Sequence, residues 1–183
     1  MPADILAQIG HIAIEWAALE HNVDRTLFYL MSLNAAIGKI AASRARVGTR
    51  LDIITDLIAI KSLKPKFDLA KFRRDVDAAK PDRDAVTHGV WHLDEKTGTY
   101  YLAIASGNWP KNTALPVRKR SVFPEAREVN ATTLGAVRKE IQRLGSEATE
   151  LYRAVVISDP PKVRGVAGPP QSLRLQSKDD KTK

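Results

Sequence analysis

Ala131–Ile157 reads ATTLGAVRKEIQRLGSEATELYRAVVI, and its apolar residues decide the fold. Leu134, Val137, Ile141, Leu144, Ala148, Leu151 and Val155 alternate steps of three and four without a break. At 3.6 residues per turn, that spacing holds them on one narrow stripe of an α-helix. Asn130 or Thr132 can accept from the free backbone N–H groups at the start, and Asp159-Pro160-Pro161 stops the helix. A stripe of this length needs apolar partners, so other helices should pack on it.

The N-terminal segment supplies one. Over about residues 4–32, Ile5, Ile9, Ile12, Trp16, Leu19, Val23, Leu27 and Leu30 repeat the same alternation. Gly10 costs about 1 kcal/mol relative to Ala in a helix interior, which a stripe of this length overrides. The signal then weakens. Ala35–Ser43 can be helical, but Gly38 and Gly48 dilute it. Thr49-Arg50-Leu51-Asp52 resembles an N-cap with an acidic third position, opening a second clear helix to about Ser62 with Leu51, Ile54, Leu57 and Ile58 inward. A third begins near Pro65–Asp68 on a stripe of Leu69, Phe72, Val76 and Ala79. Pro81 should kink that helix or end it at Lys80, with Asp82 capping a short new turn. If the phase carries through, Arg83, Val86 and Val90 become the next inward positions.

Beyond Gly89, a plausible C-cap, the pattern turns strand-like at Val90–Leu93. Asp94–Gly98 reads as a turn, and Thr99–Ile104 as the returning strand. Trp91 should pack under this hairpin. Residues 106–129 look irregular, with Gly107, Pro110, Pro116 and Pro124 spread through them. The expected fold is therefore mainly α: an antiparallel helical bundle with a small β-hairpin after the third clear helix. One domain should span residues 1–157, with the hairpin at about 90–105, followed by a disordered basic tail over 158–183.

Composition narrows the function. The 183 residues carry a net charge of +8, and a basic surface favours polyanions such as nucleic acid. Part of that charge lies in the last 25 residues, where six Lys and Arg face three Asp. The absence of cysteine removes disulfides, thiolate zinc sites and cysteine nucleophiles. No apolar run approaches the roughly 18 residues that span a bilayer. Met1-Pro2-Ala3-Asp4 has neither the basic start nor the apolar block of a signal peptide, so a cytoplasmic location is expected. Walker, Rossmann and nucleophile-elbow signatures are missing.

Arg83-Asp84-Ala85-Val86-Thr87-His88-Gly89 carries the most chemistry. Arg holds phosphate through paired hydrogen bonds, and imidazole exchanges a proton near neutral pH. Asp84 lies four residues before His88, from where it could orient the ring on a helix. The bland alternative is that cations simply favour the last turn of a helix. Five positions on a straight helix turn a side chain by about 140°, so Arg83 and His88 cannot converge from one straight helix. Either the helix ends between them or a second subunit completes the site.

These residues resemble the HEPN superfamily (higher eukaryotes and prokaryotes nucleotide-binding). Its members are small helical bundles with an Arg, a polar residue beside it, and a His four to six positions after the Arg. Arg83, Asp84 and His88 match that pattern. The long first helix with Trp16 and Leu19-Glu20, and the His-Gly-x-Trp exit at 88–91, are also similar, over about residues 4–157. Pro81, just ahead of the motif, departs from it. The resemblance implies a metal-independent endoribonuclease, as in toxin or phage-defence systems. Arg83 would bind the scissile phosphate, and His88 would act as base or acid on the 2′-hydroxyl. It implies a homodimer, an antitoxin or partner protein, and no cofactor or metal.

A second candidate is Val117-Arg118-Lys119-Arg120-Ser121, with Trp109 and Lys111 upstream. Clustered cations suit phosphates, and an exposed indole can stack on a base, although short basic runs are often only solvated. On the first helix, His11, Glu15, Glu20, His21 and Asp24 include pairs at ligand-like spacing, but no second helix offers a matching Glu-x-x-His; a solvated face is the reading. His92 is a further titratable group near the motif. The leading expectation is RNA cleavage. The alternatives are a non-catalytic dimeric interaction module, in which the Arg-His pair only terminates a helix, and small-nucleotide binding in the same cleft.

Overall fold

The computed structural model describes residues 1–42, 44–103 and 127–160. Five helices and a small sheet follow one another among them: α1 (Ala3–Leu30), α2 (Ala35–Ala42), α3 (Val47–Ile60), α4 (Leu69–His88), β1 (Val90–Asp94), β2 (Thr99–Ala103), β3 (Arg127–Val129) and α5 (Ala131–Ser158). The chain is a mainly α bundle with an open antiparallel sheet of order β1-β2-β3.

α1 and α5 form the spine, and their stripes bury as the spacing requires. Ile12, Trp16, Leu19 and Val23 meet Ile141, Leu144, Ala148, Leu151 and Val155, all fully buried. Three polar rungs fix their direction. Gln142 donates to Glu15 (2.8 Å), Asn22 to Thr149 (3.1 Å), and the Tyr29 hydroxyl to the Asp159 carbonyl. Both partners advance together, so α1 and α5 run parallel. α4 runs antiparallel to α5: Asp75 takes Arg143 (3.1 Å), while Ala85 and Val86 lie opposite Leu134 and Val137.

α3 starts three residues earlier than the Thr49 cap predicts. Arg46 occupies the N-cap without a side-chain bond, and Thr49 lies inside the first turns. Packing outweighs capping here: Val47 is buried, and Gly48 lies under the Arg73 guanidinium, 2.8 Å from where a Cβ would stand. Arg50 ties the entry down through the Ala45 carbonyl (2.8 Å) and Asp24 (3.0 Å). α1 and α3 end alike. Ser32 and Ser62 take φ of 55°, and Leu33 and Leu63 donate back to the Phe28 and Ile58 carbonyls (2.9 and 3.0 Å). This is the Schellman arrangement, with Ser where Gly is usual.

α4 runs unbroken through Pro81. Asp68 caps it by accepting from the Lys71 backbone N–H (2.8 Å). The missing Pro81 donor is tolerated because packing holds both sides: Val76 and Ala79 before it, Ala85 and Val86 after it, with Lys80 paired to Asp84 across the gap. Asp82 therefore lies inside α4 and caps no new turn.

The sheet has one strand more than the expected hairpin. Val90 pairs with Ala103 and Asp94 with Thr99, closed by Gly98 at φ 70°. β3 adds to the far edge, pairing Tyr100 with Val129 and Leu102 with Arg127. α5 begins directly after it, on a reciprocal cap in which Asn130 and Thr133 each accept from the other's backbone N–H at 3.0 Å. Thr132 is not the cap. No helix among the described residues is long and apolar enough to cross a membrane.

Candidate functional site

The second half of α4 carries the motif, and its continuity sets the geometry. Arg83 keeps the phase of Phe72, Val76 and Ala79 and therefore faces the core. Its guanidinium lies over the Trp16 ring, 5.0 Å from the centroid, with 22% of the side chain exposed. Such stacking suits arginine, whose planar cation is weakly hydrated. Its Nη1 donates to Asp84 Oδ1 (2.7 Å), whereas Nε is buried without a hydrogen-bond partner among the described residues. Trp16 donates from its indole to Glu20 (3.1 Å), which sets the ring beneath Arg83.

Asp84 does not orient His88. Its carboxylate accepts from Lys80 and from Arg83, the cations on its own side of the helix. Burial pushes its pKa up, but the hydrogen bonds from Lys80 and Arg83 outweigh that and hold it below the ordinary carboxylate value. The Thr87 hydroxyl returns to the Arg83 carbonyl (3.0 Å). His88 is exposed and makes no side-chain hydrogen bond or ion pair among the described residues. On an unbroken helix Arg83 and His88 point about 140° apart, so the two do not meet within one chain.

Gly89 ends α4 with its N–H on the Ala85 carbonyl (2.8 Å), at φ −73° and ψ 163°. It does not use the left-handed conformation of a glycine cap. Close approach requires glycine instead: a Cβ would collide with the Ala85 carbonyl, stand 2.6 Å from Leu102 Cδ1 and 3.0 Å from the Ala103 carbonyl. The sheet thus abuts the helix end. Trp91 is half-buried and donates to the Val86 carbonyl (3.3 Å), anchoring β1 to α4. Val90 is 47% exposed, not inward as the extrapolated stripe suggests, because the helix ends at His88, two residues before it. His92 is exposed.

Trp109, Lys111, Arg118, Lys119 and Arg120 lie outside the described residues. The described ends of that segment are informative, however. Ala103 is paired with Val90, and Arg127 with Leu102, so both leave the sheet at its Gly89 end. The polar residues of α1 are distributed among separate partners: Glu15 to Gln142, Glu20 to Trp16, and Asp24 to Arg50. Burial raises the Asp24 pKa, and the Arg50 charge only partly offsets it. No group of three or more His, Cys, Asp or Glu placed to hold a metal occurs among the described residues.

A cavity of about 200 Å³ opens beside the motif, between α4, the sheet and α5. Ala85, Val86, Leu102, Val129, Leu134 and Val137 form its apolar walls, and its polar lining is Glu128, Thr133, Asp82 and Arg127, the last two paired at 3.1 Å. Sequence reasoning missed it because it depends on β3, three residues long. The available signal was Val129, alternating with Arg127 directly before the Asn130 cap.

No family model matches this chain, and no curated protein or solved structure matches it.

Proposed function

We propose that the protein is a metal-independent endoribonuclease that acts as a homodimer. The observation that carries this reading is the contrast along the last turns of α4. Lys80, Arg83, Asp84 and Thr87 are all engaged with one another, while His88 ends the row exposed and unengaged among the described residues. Imidazole is the side chain suited to moving a proton at neutral pH. His88 takes the proton of a ribose 2′-hydroxyl. The oxygen attacks the adjacent phosphorus, the bond to the 5′-oxygen breaks, and that oxygen collects a proton from water. The products are a 2′,3′-cyclic phosphate and a 5′-hydroxyl. Arg83 of a second copy completes the site by stabilising charge on the phosphate. The cations Arg118, Lys119, Arg120 and Lys111, with Trp109, are then RNA contacts.

A second reading, a non-catalytic interaction module, is favoured by one observation: Arg83 is already used, stacked on Trp16 and bonded to Asp84. One experiment separates the two. Wild type and His88→Ala are incubated with mixed-sequence RNA in excess EDTA, and product ends are identified. Cleavage by wild type alone, leaving cyclic phosphate ends, is the expected result. Equal cleavage by both removes His88 from the reaction; no cleavage by folded protein leaves the interaction module.

A further inference from the structure

We infer that the cavity between α4, the sheet and α5 is a base-specificity pocket that takes a purine of the RNA beside the bond to be cut. This inference rests on the nuclease reading above and adds to it the feature that selects the substrate.

Asp82, Ala85 and His88 are spaced by three along α4 and are neighbours on its surface. The first two line the cavity, and His88 is the next in the row. From the sheet side, Leu102 lines the cavity and also packs against Gly89, the residue after His88. Two independent elements thus place the cavity next to the proposed proton acceptor.

An apolar cavity of about 150 Å³ is enough to bind benzene. The roughly 200 Å³ here leaves room for a second fused ring. Its walls are aliphatic and can lie against the flat face of a base, since extruded bases are held between aromatic or apolar side chains. The mouth is polar. Asp82 presents an acceptor and Arg127 a donor, and both are substantially exposed, so their mutual pairing contributes little and is readily exchanged. A purine edge offers the complementary donor and acceptor. A purely aliphatic ligand would strip water from both groups and return nothing.

The test uses full-length protein. Binding of AMP, GMP, CMP and UMP is measured calorimetrically on His88→Ala, which cannot cut, and on the same protein carrying Val137→Phe. In parallel, the bases flanking the cut sites of wild type and Val137→Phe are read by sequencing. A purine monophosphate should bind in preference, Val137→Phe should weaken it at least tenfold, and the flanking purine preference should flatten. Asp82→Asn is the second variant, should Val137→Phe not fold; it should change which purine is preferred. No nucleotide binding by His88→Ala, or binding and cut-site preference unchanged in folded Val137→Phe and in Asp82→Asn, overturns the pocket even if His88-dependent cleavage persists. Binding that responds to both variants, without any cleavage by wild type, keeps the pocket and removes the nuclease.

Discussion

Asp84 is the residue whose role departs furthest from its spacing. Four positions before His88 it has the geometry to orient an imidazole, yet Lys80, four positions earlier, competes for the same carboxylate and carries a full charge. Arg83 takes the second oxygen. The consequence is a pH dependence of stability. The folded pKa of Asp84 lies below its ordinary value of 3.8. Its contribution is therefore present in full above that value and is lost as pH falls through the lowered folded pKa. Asp84→Asn lacks the contribution at every pH. Urea melts should show wild type more stable than Asp84→Asn at pH 7, with the difference closing below about pH 4. A difference that stays constant into acid would mean that the carboxylate charge is not what holds this stretch together. Nothing in this pairing requires His88, so the imidazole is left for another partner.

At the scale of elements, α4 is the instructive case. Pro81 reads as a break because it lacks a donor and crowds the preceding turn, effects that together cost about 3 kcal/mol in a helix interior. The helix persists because four buried residues, two on each side, fix its axis against α1, α5 and the sheet. Replacing the proline should therefore help: Pro81→Ala should raise stability by about 1–3 kcal/mol, read from urea melts. A loss of stability would show that the chain depends on a local distortion at Pro81. The same contrast explains what was legible in sequence. The stripes of α1 and α5 are long enough that period alone identifies them, and Leu134, Ile141, Leu144, Ala148, Leu151 and Val155 bury as their spacing demands, with Val137 partly buried at the cavity. The α3 start and the path through Pro81 depend on tertiary packing of Val47, Ala85 and Val86, which no local pattern encodes. β3 escapes because Arg127–Val129 is too short to show a period, and it forms only by pairing with residues some 27 positions earlier. Of the site, the identities of Arg83 and His88 are readable, but the cavity beside them is not, since four separate elements line it.

The whole molecule must supply what a single α4 cannot. A continuous helix turns Arg83 toward Trp16 and leaves His88 on another side, so one chain offers a proton acceptor without a phosphate ligand beside it. A two-fold dimer resolves this if His88 of each copy works with Arg83 of the other, because a self-complementary interface generates two equivalent composite sites. That arrangement has a signature that neither variant shows alone. Arg83→Ala and His88→Ala should each be inactive as homodimers. Co-expressed with different tags, they form mixed dimers in which one site has both wild-type residues and the other has neither. Random pairing makes about half of the dimers mixed, so the mixture should recover about a quarter of wild-type cleavage, and purified mixed dimers about half. Arg83→Ala needs a melt beside it, since the guanidinium also covers Trp16; Arg83→Gln replaces it if that variant unfolds. Recovery near these values requires residues from both copies in one site. No recovery from folded, verified mixed dimers would mean that each chain must use its own pair. In either arrangement the Arg83 guanidinium must turn from Trp16 and Asp84 before it can hold a phosphate.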